Sequence, residues 1–143
     1  MGKRKVLFVC IHNSARSQMA EELLRKIAGD RFEAESAGLE PGKLNPIVVD
    51  VLKEEGINIS GKQTKAVFDL YKAGNLYHYV IAVCDGASAE RCPIFPGGAM
   101  RIHWSFTDPS KFEGPYEQKL EKVRAVKEEI KARLLAWVES RKM

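Results

Sequence analysis

The strongest constraint on this chain sits at its start. Val6-Leu7-Phe8-Val9 is a continuous apolar run, Cys10-Ile11-His12-Asn13-Ser14-Ala15-Arg16-Ser17 follows it, and an amphipathic helical pattern begins at once. A strand that is apolar at every position must be covered on both faces, which is the habit of parallel sheets in α/β proteins. A loop leading from such a strand into a helix turns several backbone N–H groups, and the positive end of the helix, toward one point. That arrangement holds a tetrahedral oxyanion, and the same field stabilises a thiolate. Cys10 is therefore the candidate nucleophile. Arg16 can close the loop with a bidentate grip on two oxygens, and Ser17 can donate to the sulfur. Ser14 and Asn13 suit the turn, Asn13 because it tolerates left-handed backbone. Ile11, His12, Asn13, Ser14, Ala15, Arg16 and Ser17 together form the expected oxyanion cradle. A lone cysteine at a strand end is commonly a small core residue, and Cys-x5-Arg recurs by chance. The strand before it and the helix after it favour chemistry.

The rest of the chain alternates strands with helices. Strands are expected at Lys5 to Val9, Phe32 to Ser36, Tyr79 to Val83 and Met100 to Trp104. Helices are expected at Ser17 to Ala28, from the Asn45-Pro46 cap to Glu55, at Ala66 to Tyr71, and at Pro115 to Val138. Residues 85 to 98, rich in Gly and Pro, read as a loop. The fold class is α/β, a four-stranded parallel sheet with helices on both faces, whose ligand site lies beyond the carboxyl ends of the strands. Cys10, Ser36, Cys84 and the loop after Trp104 all fall at those ends.

Length and charge narrow the class further. The 143 residues suit one domain over 1–143. A formal charge of +4 suits an anionic substrate, but Lys and Arg are spread along the chain with Glu among them. No nucleic-acid partner is expected, and Lys3-Arg4-Lys5 reads as a solvated start to the first strand. The first apolar run is too short for a signal peptide core or a membrane span, so a cytoplasmic location without membrane association is expected. Thiols stay reduced there, and three cysteines call for catalysis, redox cycling or metal before a structural disulfide.

Cys84 ends the third strand on the same side of the sheet as Cys10, which makes it a candidate resolving thiol. Cys92 follows the small, polar segment Asp85-Gly86-Ala87-Ser88-Ala89-Glu90-Arg91, and a relay of disulfides needs such movable chain because the sulfurs must meet. The spacing of Cys84 and Cys92 does not match common zinc sites, and no metal is expected. His12 and His103 read as structural. Asp108-Pro109, beyond the last strand, offers a general acid for a leaving oxygen.

Together these residues resemble the thioredoxin-coupled arsenate reductases, which share the fold and anion loop of low-molecular-weight protein tyrosine phosphatases. The resemblance rests on Phe8-Val9-Cys10, Asn13-Ser14, Arg16-Ser17-Gln18-Met19-Ala20-Glu21, Ser36-Ala37-Gly38, Asn45-Pro46, Cys84 with Cys92-Pro93, and His103-Trp104 with Asp108-Pro109. It implies that Cys10 attacks arsenate, Arg16 binds it and Asp108 protonates the leaving oxygen. Cys84 then attacks Cys10 and releases arsenite, Cys92 attacks Cys84, and thioredoxin reduces the resulting disulfide, with no organic cofactor.

Some positions depart from the relatives. Ala15 replaces a further loop cysteine that the mechanism does not need, and the Cys84 to Cys92 loop is slightly longer. Some relatives bind potassium near positions matching Asn13, Glu21 and Ser36, with a carboxylate close to position 65; here Lys65 offers an ammonium in its place, so no potassium site is expected. The competing function is a phosphatase for phosphotyrosine or a small phosphomonoester, using Cys10, Arg16 and Asp108 alike. Hydrolysis has no use for the later thiols, and Gln18 stands where phosphatases commonly carry proline. A non-catalytic oxyanion- or protein-binding module would keep Arg16 and the backbone cradle but needs no placed thiols.

Overall fold

In the computed structural model, residues 2–84 and 86–141 are described. The elements run β1 (Arg4–Cys10), α1 (Arg16–Ala28), β2 (Phe32–Gly38), α2 (Pro46–Glu54), α3 (Val67–Lys72), β3 (Tyr79–Ala82), α4 (Gly86–Ala89), β4 (Met100–His103), a 3-10 turn (Pro109–Lys111) and α5 (Tyr116–Ser140). The strands form one sheet in the order β2-β1-β3-β4, and every pair is parallel. The α/β fold class expected from the alternation is the one observed.

β1 is paired on both sides, which accounts for its unbroken apolar run. Its side chains alternate between two cores, as a strand requires. Val6, Phe8 and Cys10 face the larger core with α1, α2 and α5; Leu7 and Val9 face a smaller one with Val67 of α3, Tyr77, Val80, Cys92 and Phe95. The spacing of Leu120, Val123, Ile130, Leu134 and Trp137 predicts a buried stripe on α5, and all five are buried, together with Val126, Lys127 and Val138. α2 opens as expected, with Asn45 Oδ1 accepting from the N–H groups of Ile47 at 2.9 Å and Val48 at 3.4 Å, and Pro46 in the first turn.

Boundaries differ where sequence signals are weak. β1 begins at Arg4 and β2 runs on to Gly38, because the two strands stay in register from Arg4↔Phe32 to Cys10↔Gly38. β3 ends at Ala82 and β4 at His103, the last positions where those two strands pair. The segment expected to be all loop carries α4 at Gly86–Ala89; Asp85, its first residue, lies outside the described residues. No helix among the described residues is long and apolar enough to cross a membrane.

Candidate active site

The strand order reverses direction between β1 and β3, and ligands of open parallel sheets bind in the crevice beyond such a switch. Cys10 ends β1 and Cys84 lies two residues past the end of β3, so both stand at this crevice.

The loop from Cys10 to Arg16 is strapped from one side. The carbonyls of Cys10, Ile11, His12 and Ser14 accept from the N–H groups of Leu39, Glu40, Gly42 and Asn45 at 2.7–3.0 Å. In a trans peptide unit the N–H points opposite to its C=O. The N–H groups of Ile11, His12, Asn13 and Ala15 therefore turn away from the strap and into the loop. Asn13 sits at φ 55°, the left-handed backbone expected of it, and donates its N–H to Cys10 Sγ at 3.2 Å. Gly38 forms the floor: a Cβ there would lie 2.7 Å from Asn13 N and 2.8 Å from Ile11 O, so only glycine fits.

A second donor reaches the sulfur through a buried chain. Ser17 Oγ lies 2.8 Å from Cys10 Sγ, and Asn13 Nδ2 donates both to Ser17 Oγ at 2.8 Å and to Ser36 Oγ at 2.9 Å. Asn13 Oδ1 accepts from Gln18 Nε2 at 3.1 Å and from the backbone N–H of Lys65 at 2.9 Å, which fixes its amide orientation. Either group of this pair can donate while Cys10 is a thiol; a thiolate can only accept, so in that state the Ser17 hydroxyl donates to the sulfur. Ser36 Oγ donates onward to Glu21 Oε1 at 2.5 Å, and Glu21 Oε2 pairs with Lys62 Nζ and Arg25 Nη2, each at 2.7 Å. Asn13, Ser17, Ser36 and Glu21 are all buried, and a buried carboxylate stands only when so paired.

Lys65 does not place its ammonium where the sequence suggested. Its Nζ lies 3.9 Å from Glu35, and only its backbone N–H serves Asn13; Lys62 carries the ammonium that reaches Glu21. Neither Glu21 nor Lys62 stood among the candidate site residues. Glu21 was visible only through the resemblance, and Lys62 gives no local signal. Among the described residues no cluster of three or more His, Cys, Asp or Glu side chains could hold a metal ion.

Arg16 is buried in the first turn of α1. Its Nη1 donates to the Phe106 carbonyl at 3.3 Å and its Nη2 lies 3.4 Å from Asp108 Oδ2. Asp108 Oδ1 accepts from Ser110 N at 3.0 Å and Ser110 Oγ at 2.8 Å. Partial burial pushes the Asp108 carboxyl up, but the Ser110 hydrogen bonds and then Arg16 outweigh it and hold the group below its ordinary value. The structure thus brings Cys10, Arg16 and Asp108 to one end of the sheet. His12 lies at the rim with Nδ1 2.8 Å from the Glu40 carbonyl, so its backbone and not its ring belongs to the cradle.

All three cysteines are buried thiols. Cys84 offers its carbonyl to His103 Nε2 at 2.6 Å, which ties the exposed imidazole to the end of β3. Cys92 lies on the expected loop between α4 and β4, but its side chain is buried in the smaller core with Tyr77, Val80 and Phe95. Burial pushes its thiol up, and the charge of Arg101 offsets this in part.

This combination of a parallel sheet, a Cys10-to-Arg16 cradle at its switch point and an aspartate on the far rim defines the low molecular weight phosphotyrosine phosphatase class. The model of the family described as low molecular weight phosphotyrosine protein phosphatase matches residues 5–142. An arsenate reductase of Halalkalibacterium halodurans is 40% identical over 144 residues, 99% of this chain and 100% of that protein. The crystal structure of an arsenate reductase from Archaeoglobus fulgidus superimposes with a TM-score of 0.65 at 32% identity, covering 90% of this chain and 98% of that one. A thioredoxin-dependent arsenate reductase of Corynebacterium glutamicum gives a TM-score of 0.62 at 30% identity, over 95% of this chain and 63% of that one. The chain belongs to the low molecular weight phosphotyrosine protein phosphatase family, among its arsenate reductases.

Proposed function

We propose that this chain reduces arsenate to arsenite, with Cys10 as nucleophile and a thiol relay through Cys84 and Cys92 that thioredoxin resets. The observation that carries this reading is the placement of Cys84 and Cys10 at the same end of neighbouring strands, with Cys92 a short loop away. Hydrolysis of a phosphoester needs only the first of these thiols.

Arsenate enters a cradle formed by the backbone of Ile11, His12, Asn13, Ser14, Ala15, Arg16 and Ser17 and displaces Asp108 from the Arg16 guanidinium. Losing that cation and gaining an anionic neighbour both favour the protonated form of Asp108. Cys10 Sγ, held by the Asn13 N–H and the Ser17 hydroxyl, bonds to arsenic. One oxygen leaves as water with a proton from Asp108. Cys84 Sγ then attacks Cys10 Sγ, the sulfur–arsenic bond breaks, and its electron pair stays on arsenic, which departs as arsenite. Cys92 attacks Cys84 and frees Cys10 as a thiol. The Cys84–Cys92 disulfide passes to the dithiol of thioredoxin, and the two thiols are restored. A cycle that starts from three thiols suits a reducing compartment such as the cytoplasm.

The test assays arsenite formation and phosphate release side by side, with thioredoxin or glutaredoxin as reductant. Arsenite formation should dominate and vanish in Cys10→Ser, while phosphate still binds, because the backbone cradle and Arg16 do not depend on sulfur. Appreciable turnover by Cys10→Ser would remove Cys10 as the nucleophile.

A further inference from the structure

A second cationic site lies at the opposite pole of the sheet. Cys10 ends β1, whereas Lys3 and Arg4 stand at its start, about 20 Å away for a seven-residue strand. The chain brings two more guanidinium groups to them. Arg31 precedes β2 and accepts the Arg4 N–H at its carbonyl, and Arg141 follows the last turn of α5. The four side chains line a cavity of about 510 Å³ together with Asp30 and Ser140.

What separates this cluster from ordinary surface charge is that four cations line one cavity. Among the described residues none of the four has a carboxylate within ion-pair distance, a state shared by single cations such as Arg101 and Arg133 but not by Arg25, Lys26, Lys62, Arg124 and Lys127. Two of them are also held in place by aromatic faces. The Arg31 guanidinium lies 5.4 Å from the Phe32 ring, and that of Arg141 lies 5.3 Å from Tyr79 and 5.7 Å from Trp137. Stacking fixes a guanidinium plane; Arg31 Nη2 donates to the Val138 carbonyl at 3.4 Å and Arg141 Nη2 to Met100 Sδ at 3.8 Å, which leaves the remaining N–H groups of each fork to a ligand. Among the described residues, the buried Arg141 Nε has no acceptor, an orphaned charged donor at this site.

We propose that this cavity binds a phosphorylated small molecule carrying at least two adjacent phosphoryl groups. Preorganised guanidinium forks suit phosphoryl oxygens, and the volume falls in the range of small-ligand sites. The cations converge on one cleft and do not form a stripe, so the geometry selects a compact anion over a nucleic acid. This site is independent of the arsenate chemistry.

The test follows backbone amide shifts of the full chain by NMR as inorganic diphosphate is added at constant ionic strength. The anion also enters the Cys10 cradle, so the titration is repeated in Arg16→Met. Shifts at Arg4, Arg31 and Tyr79 should persist there, and they should need at least tenfold more diphosphate in the Arg31→Gln/Arg141→Gln double variant. Lys3→Gln/Arg4→Gln, which alters only exposed side chains, should weaken the same site while leaving arsenite formation unchanged. Shifts confined to residues 11–17, an equal response to chloride, or tighter binding of a short RNA by the same residues would each overturn the proposal.

Discussion

The ammonium of Lys62 lies 2.7 Å from Glu21 Oε2, and from that carboxylate an unbroken line of buried hydrogen bonds through Ser36, Asn13 and Ser17 ends at Cys10 Sγ. A side chain far from the cradle in sequence therefore helps aim the hydroxyl that faces the nucleophile. Removing it should loosen the donor without touching the Arg16 grip. Lys62→Met is expected to slow iodoacetamide capture of Cys10 and to lower kcat by about tenfold with a smaller change in KM, and Lys62→Arg to recover most of both. An unchanged alkylation rate would make Lys62 merely structural.

Gly38 supports the same loop from below. Gly38→Ala places a methyl group against the Asn13 nitrogen and the Ile11 carbonyl, both backbone atoms that cannot rotate away. The expected cost is about 1–3 kcal/mol of stability, with phosphate affinity reduced about tenfold or more as the cradle shifts. Urea unfolding and phosphate titration measure the two effects separately.

Asp108 should govern the chemical step. Asp108→Asn removes the proton source and is expected to slow single-turnover arsenite formation by roughly a hundredfold to ten-thousandfold, with Cys10 alkylation little changed. Normal single-turnover rates would place the proton elsewhere.

The relay is tested by its trapped states. Cys92→Ser should complete one turnover, release arsenite and stop as a Cys10–Cys84 disulfide, whereas Cys84→Ser should release little arsenite. The wild-type chain oxidised by arsenate without reductant should accumulate the Cys84–Cys92 bond with the segment between the two cysteines rearranged. Peptide mapping by mass spectrometry distinguishes these species, and full multiple turnover by both variants would restore the phosphatase reading.

Acid stability should depend on Glu55. Lys127, at 2.8 Å, and Lys26, at 2.9 Å, hold its carboxyl at about 2, below the ordinary 4.5. A depressed acid contributes its stabilisation fully above its unfolded value and loses it as pH falls toward the folded one. Glu55→Gln should cost on the order of 1 kcal/mol at neutral pH, given solvent screening, and the difference should fade between pH 4.5 and about 2. Urea unfolding at several pH values checks this.

How much of this was legible in the sequence depends on contiguity. The cradle was readable because Cys10, Asn13, Arg16 and Ser17 lie in one stretch between a strand and a helix, and local backbone geometry does most of the work. Lys62 was not, since a lysine in the polar stretch around Ser60 and Thr64 looks like any solvated residue until the fold carries it to Glu21. The burial of Cys92 was not legible because Glu90 and Arg91 mark a polar loop, yet burial is decided by where Phe95 and Tyr77 anchor the chain. The helix at Gly86–Ala89 escaped notice because four small residues carry no periodicity. The cationic cavity was invisible because Arg31 and Arg141 meet Lys3 and Arg4 only through sheet pairing and the packing of α5.

The burial of Cys92 has a consequence for how a spent enzyme is recognised. Its sulfur is packing material for the smaller core, wedged among Val80, Tyr77 and Phe95. Drawing it out to reach Cys84 leaves an unfilled hollow under the sheet and frees the aromatic rings that closed over it. On the proposed cycle, the oxidised molecule is thus the looser one, and its redox history is written as local unfolding. A reductant would find its substrate by softness as much as by shape, and mild proteolysis should cut the oxidised chain near Cys92 before the reduced one.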